Sequence, residues 1–240
     1  MVRDLLTART LGAGVALVPT AWTEQSPAGV SAIEPRAPAA LEAAVRAGLS
    51  RLAGPVAVKI GMVPTIEAVG ALLRALDGFA GPVVFDPVLA ASSGGALFAG
   101  APSDLMPLVT RADLVTPNAV EAGALAGITV DGPAAVAVAG RILCDRGARA
   151  VLVKGGHLTG AQAVDVLVAA AADGSRVQQP FAETRLGGPS VRGTGCALAT
   201  AIAVGLVRGL TASGAITGAK AWLTAGLARP VRVGNEWHLP

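Results

Sequence analysis

The feature that most limits what this chain can fold into is a repeated alternation of short, wholly apolar runs with longer stretches of helical periodicity. Val15 to Pro19, Val56 to Ile60, Val83 to Phe85, Leu114 to Val115 and Ala150 to Val153 read as strands. Pro38 to Leu52, Pro64 to Leu76, Pro102 to Thr110 and Pro133 to Arg146 carry apolar residues at helical spacing, mostly opened by a proline whose missing N–H costs nothing in a first turn. Strands that are apolar on both faces need helices on both faces, so the pattern predicts an α/β fold: a three-layer α/β/α sandwich around a mostly parallel, twisted sheet. Val164 to Ala169 and Arg176 to Gln179, joined through Asp173-Gly174, read as an added hairpin. With 240 residues, 52% of them apolar, and no linker or repeat, one domain spanning 1–240 is expected.

Composition excludes several function classes. The longest uncharged helical run, Gly193 to Val207, is too short to cross a bilayer, and the apolar stretch Leu11 to Trp22 is broken by Gly, Pro and Thr, a poor secretory signal. A cytoplasmic protein without membrane partners is expected. A net charge of +3 with scattered arginines, four Phe, three Trp and no Tyr gives nucleic acid little to bind. Cys144 and Cys196 have no metal-ligand spacing and read as free thiols, with Cys144 in the core. Lysine is scarce, at three residues, and two of these, Lys59 and Lys154, fall near strand ends.

Ligands of open α/β sheets sit beyond the carboxyl ends of strands. Here those ends carry KIGM (Lys59 to Met62), FDPV (Phe85 to Val88), VTPNAVE (Val115 to Glu121) and VKGGH (Val153 to His157). A further segment, Gly193-Thr194-Gly195-Cys196, opens the long uncharged run. Its small residues let backbone N–H groups approach an anion at the positive end of a helix, a suitable cradle for a moving phosphoryl group. Cys196, beside those donors, is expected to have a depressed pKa and to serve as a base. The alternative is a tight helix-packing turn with a buried thiol. Asp86, and Asn118 with Glu121, offer groups suited to Mg²⁺, which takes few protein ligands. Their alternatives are an Asp-Pro turn and a helix cap with a first-turn acid. Lys154, before Gly155 and Gly156, offers a cation to nucleotide phosphates; otherwise it is a solvated strand end.

FDPV, VTPNAVE, VLVKGGHL and RGTGCALATAIAVGL, in this order and spacing, resemble the hydroxymethylpyrimidine and phosphomethylpyrimidine kinases of thiamine biosynthesis, members of the ribokinase-like superfamily. TEQSPAGV (Thr23 to Val30) and VKIGM extend the resemblance over most of the chain. It implies an ATP- and Mg²⁺-dependent kinase acting on 4-amino-5-hydroxymethyl-2-methylpyrimidine and then on its monophosphate. By that likeness Gln25 binds the aminopyrimidine, and Met62 and Val88 line its pocket. Lys154, Asn118 and Gly156 belong to the nucleotide site, and Glu121 and Asp86 to magnesium. Gly193, Thr194 and Gly195 form the anion hole, and Cys196 stands where sugar kinases of the superfamily place an aspartate base. Relatives often form homodimers. The family's first strand and its Gly-Ser-Asp segment have no counterpart before MVRDLL, its Lys-Ser-Gly-Asp reads SSGG (Ser92 to Gly95), and its Asn-Thr-His reads SVR (Ser190 to Arg192). Two other readings follow: a pyridoxal kinase, since some relatives with the same loop accept pyridoxal, and a relative that binds pyrimidine or nucleotide without turnover.

Overall fold

The computed structural model describes residues 1–26, 29–91, 94–156, 161–171, 175–234 and 236–240, without the side chains of Gln25 and Ser26. A short helix, α1 (Val2–Thr10), is followed by an extended stretch and an antiparallel hairpin, β1 (Ala21–Ser26) and β2 (Gly29–Pro35). The βα repeat then runs α2 (Pro38–Ser50), β3 (Val58–Ile60), α3 (Ile66–Ala75), β4 (Val83–Phe85), a 3₁₀ turn (Pro102–Leu105) leading into α4 (Met106–Arg111), β5 (Leu114–Val115), α5 (Ala119–Ala126), α6 (Pro133–Asp145) and β6 (Ala150–Val153). Next come β7 (Gln162–Ala170), β8 (Arg176–Thr184), β9 (Val191–Arg192), α7 (Thr194–Val207), α8 (Ala212–Leu227), β10 (Val231–Val233) and β11 (Glu236–His238).

Helix starts follow local chemistry. Proline opens α2 and α6. The Thr65 hydroxyl caps α3 by accepting the Ala68 N–H at 3.3 Å. The main sheet has the order β3-β4-β5-β6-β7-β8, parallel from β3 to β6 and antiparallel at β7 and β8. The expected hairpin is therefore present; its Asp173-Gly174 link lies outside the described residues. A second small sheet, β10-β11-β9, was not foreseen.

One expected strand does not form. Val15 to Pro19 is irregular, with Val15 and Leu17 exposed. A strand exists only if a neighbour completes its ladder, and this stretch faces a cavity instead, with the outer strand β3 among the residues on that cavity's wall.

The sheet separates two cores, and strand parity decides which side chain enters which. Val58, Ile60, Val83, Phe85, Val115, Val151 and Val153 pack beneath the layer of α2 to α6, where Cys144 is also buried. Ala57, Val84, Leu114, Ala150 and Leu152 face the opposite way, toward α7 and α8. Helix α7 is apolar nearly all round because the sheet, α8 and α1 pack against it, while Cys196, Thr200, Ala203 and Val204 border the cavity.

Candidate active site

Parity also places the chemistry. Lys59 has the same parity as Ala57, Asp86 as Val84, Thr116 as Leu114 and Lys154 as Leu152, so all four side chains point toward the α7 layer at the carboxyl ends of their strands. The backbone ladder continues past the strands to hold them there: Asp86 N–H donates to Ile60 O at 2.8 Å, Thr116 N–H to Phe85 O at 2.8 Å and Lys154 N–H to Pro117 O at 2.8 Å.

At the amino end of α7, Gly193 is the N-cap with φ +76°, a left-handed backbone that favours glycine, and no side chain caps the helix. A β-carbon on Gly195 would lie 3.2 Å from Lys154 Nζ, so the absent side chain is what lets the cation approach the loop. Lys154 Nζ in turn donates to Asp86 Oδ1 at 2.8 Å, and the Thr116 hydroxyl donates to the same oxygen at 3.3 Å. Burial would raise the Asp86 pKa, but Lys154 and Lys59 outweigh it and hold the carboxyl below its ordinary value. Burial likewise opposes the charge on Lys154, and Asp86 and Glu121 reverse that, leaving its pKa raised.

Asn118 and Glu121 form a reciprocal cap: Glu121 N–H donates to Asn118 Oδ1 at 2.9 Å and Asn118 N–H to Glu121 Oε2 at 2.8 Å. The capping alternative is thus realised in the geometry. It leaves Glu121 buried, and burial raises its pKa to about 7, with Lys154 pulling the other way and Asp86 adding to the rise. Among the described residues no group of three or more His, Cys, Asp or Glu is arranged to hold a metal ion. Two buried carboxylates close enough to feel each other and a shared ammonium do suit Mg²⁺, which is held mainly through phosphates and water with one or two carboxylates. Asp86 Oδ2 takes no part in the bonds to Lys154 and Thr116.

Cys196 lies in the first turn of α7, on the wall of a cavity of about 1240 Å³ that Lys59, Met62 and Val88 also line. Its thiol corrects the sequence reading: the pKa is raised, not depressed. Burial dominates, Asp86 and Asp4 add to it, and the favourable Lys59 and Lys154 charges do not compensate. Lys59 Nζ sits 2.9 Å from Asp4 Oδ1, and Thr200, one turn along α7 from Cys196, donates to that same oxygen at 2.9 Å.

The structure therefore brings together Asp86, Lys154, Gly195 and Cys196, with Asn118 and Glu121 adjoining Lys154 through an isolated parallel bridge between Asn118 and Lys154. Met62 and Val88 share the cavity with Cys196. Gly156 is exposed on the turn after Lys154. Gln25 falls in β1, two residues beyond Thr23 on the cavity wall, and its side chain lies outside the described part, as do Ser92 and His157. Sequence reasoning assigned no role to Asp4, Thr116, Asp165 or Lys220. A charged residue inside the apolar run VDVLV was the available signal for Asp165, since a buried charge needs a partner.

An uncapped helix start, a lysine that reaches it from the end of β6 and the buried Asp86 and Glu121 beside that lysine, on a mostly parallel sheet flanked by helices, define a small-molecule kinase of the ribokinase-like superfamily. The pyridoxal kinase of Staphylococcus aureus solved with AMP-PCP superposes with a TM-score of 0.84 at 25% identity, over 99% of this chain and 86% of that one. The crystal structure of phosphomethylpyrimidine kinase from Clostridium difficile gives 0.77 at 30% identity, over 93% and 91%. In sequence, the hydroxymethylpyrimidine/phosphomethylpyrimidine kinase of Rhizobium meliloti is 38% identical over 239 residues, 96% of this chain and 85% of that protein. The family described as Phosphomethylpyrimidine kinase matches residues 1–240, and the chain belongs to it. Among the described residues no helix is long and apolar enough to cross a membrane.

Proposed function

We propose that this kinase transfers the γ-phosphoryl group of ATP to the hydroxymethyl oxygen of 4-amino-5-hydroxymethyl-2-methylpyrimidine, and then a second one to the monophosphate, as a cytoplasmic enzyme of thiamine biosynthesis. The observation that carries this reading is that Lys154 reaches the Gly193–Gly195 turn, its Nζ 3.2 Å from where a Gly195 β-carbon would lie, while the next residue, Cys196, is on the wall of the cavity that Met62 and Val88 line. The ring lies against Met62 and Val88, with Gln25 hydrogen-bonding its amino group. The hydroxymethyl oxygen attacks the γ-phosphorus, the bond from that phosphorus to the ADP oxygen breaks, and the hydroxyl proton passes to the Cys196 sulfur. N–H groups at the start of α7 donate to the equatorial oxygens as charge spreads over them, and the Lys154 ammonium stands beside them. Asn118 and Gly156 border the nucleotide. Asp86 and Glu121 would hold Mg²⁺ together with the nucleotide phosphates, where it would supply charge neutralisation for phosphoryl transfer.

Burial keeps the thiol largely protonated at neutral pH, so the base form is a minority that grows as pH rises. Incubation with Mg-ATP and the pyrimidine alcohol, followed by mass spectrometry, tests the assignment: one and then two added phosphoryl groups are expected. Absence of product, under conditions in which a thiamine-pathway relative turns over, overturns it. A second reading, pyridoxal as the alcohol, draws on the higher structural similarity to the staphylococcal pyridoxal kinase. Competing the two alcohols in one assay decides between them.

A further inference from the structure

Each of the three lysines meets an aspartate: Lys59 with Asp4, Lys154 with Asp86 and Lys220 with Asp165. The first two pairs stand at the cavity and the phosphoryl loop. The third lies behind them and has no role in the mechanism above. Lys220, on α8, places Nζ 2.6 Å from Asp165 Oδ2 on β7, with side chains only 9% and 7% exposed. Burying such a pair is seldom a net gain over apolar packing of the same volume, so its presence needs another account.

The other oxygen of the same carboxylate provides one. Asp165 Oδ1 accepts the Gly155 N–H at 2.9 Å, tying α8 through β7 to the backbone immediately after Lys154. Gly155 is pressed so closely on β7 that a β-carbon there would meet Val164 O at 2.1 Å. On the carbonyl side of the turn, Arg185 donates to Gly156 O at 2.5 Å and Gly155 O at 3.3 Å. The turn is therefore held from its N–H side by a charged acceptor and from its carbonyl side by a charged donor. Its rigidity matters because Lys154 Nζ has a narrow target, between Asp86 and the space left open at Gly195.

We infer that Lys220 and Asp165 are positioning residues for nucleotide binding: through the Gly155 N–H they hold the Lys154–Gly156 turn in the place that sets the Lys154 ammonium against the phosphoryl loop. The inference rests on the kinase reading for its kinetic consequence but not for its binding consequence. Its test uses Lys220→Met, Asp165→Asn and the double variant Asp165→Leu/Lys220→Met. Thermal unfolding is measured for each, with calorimetric titration of Mg-AMP-PCP, and KM is determined separately for ATP and for the alcohol. Lys220→Met leaves a buried charge unpaired and unfolds at lower temperature, whereas the double variant removes both charges and recovers most of that stability. Affinity for AMP-PCP nevertheless stays about tenfold weaker in the double variant, the order expected for one lost hydrogen bond to a charged group. KM for ATP rises in proportion while KM for the alcohol does not move. A double variant that binds AMP-PCP as tightly as the unaltered protein overturns the inference. So does an affinity loss that merely tracks the unfolding temperature, or absence of AMP-PCP binding by the unaltered protein. If the unaltered protein binds AMP-PCP yet phosphorylates neither alcohol, the substrate assignment fails and the binding series still decides the role of the pair.

Discussion

The two faces of the sheet are built from the same kinds of strand residue and carry opposite chemistry. Beneath α2 to α6 the packing is apolar, around Leu41, Leu72, Phe85, Leu108 and Leu143, with the Cys144 thiol as its softest member. On the α7 and α8 side lie Lys59, Asp86, Thr116, Lys154, Asp165, Thr200 and Lys220. A buried ion costs several kcal/mol in desolvation and is repaid only by close partners, so a face that holds three such pairs is not arranged for stability alone. One face is scaffold. The other holds charges at the strand ends, against the start of α7, where the proposed phosphoryl transfer takes place.

That contrast can be broken most directly at the two cysteines. Cys196→Ala is expected to lower kcat by roughly 10²- to 10⁴-fold, the range for loss of a general base, whereas Cys144→Ala leaves turnover per folded molecule unchanged. Steady-state kinetics on both variants checks it, and equal losses would erase the distinction between the faces.

Lysine 154 comes next. Lys154→Met is expected to reduce kcat/KM by about 10²-fold and, by leaving Asp86 buried without its partner, to cost about 3 to 5 kcal/mol of stability. Leu143→Ala on the apolar face should cost a comparable 2 to 5 kcal/mol by opening a cavity, yet with little change in kcat of the folded fraction. Urea unfolding paired with kinetics separates the two.

The pH dependence sharpens the comparison further. Because the Cys196 pKa is raised and the base must be deprotonated, kcat should climb with pH from neutrality into the ordinary thiol range without reaching a plateau there. Cys196→Asp places a far more acidic group at that position, so the rising limb of its pH–rate profile should move several pH units downward. A limb that stays in place would assign the titration to another group.

The smallest expected effect concerns α1. Burial would raise the Asp4 pKa, but the Lys59 ammonium outweighs it and the net value is lowered. Below the ordinary carboxylate range the unfolded chain takes up a proton that the folded chain refuses, so this contribution is present at neutral pH and is lost as pH falls through the folded value. Asp4→Asn should therefore lower the midpoint of urea unfolding at pH 7 and have a smaller effect at a pH below the ordinary carboxylate range. An equal effect at both pH values would show that packing, and not the pairing with Lys59, is what Asp4 contributes.

Much of the frame was legible because local causes suffice for it. Proline at Pro38 and Pro133 and the apolar triplet Val83 to Phe85 mark their elements without help from distant residues, and the strand-end motifs follow once those strands are placed. Val15 to Pro19 was misread for the complementary reason: its apolar character permits a strand, but a ladder needs a neighbour, which no local pattern reports. The Cys196 thiol was misread because helix position is local and desolvation is not. Asp165 and Lys220 lie 55 residues apart, and nothing in either neighbourhood names the other.

The order of residues by itself determined the layers of this kinase, the glycines of the turn before α7 and the set of polar groups at its strand ends, since periodicity, proline and glycine act over a few bonds. Only the tertiary structure decided which carboxylate meets which lysine, how strongly burial opposes the thiolate, and which extended segment becomes a strand. Those outcomes depend on desolvation and on partners brought from far along the chain, and both exist only once the layers have closed.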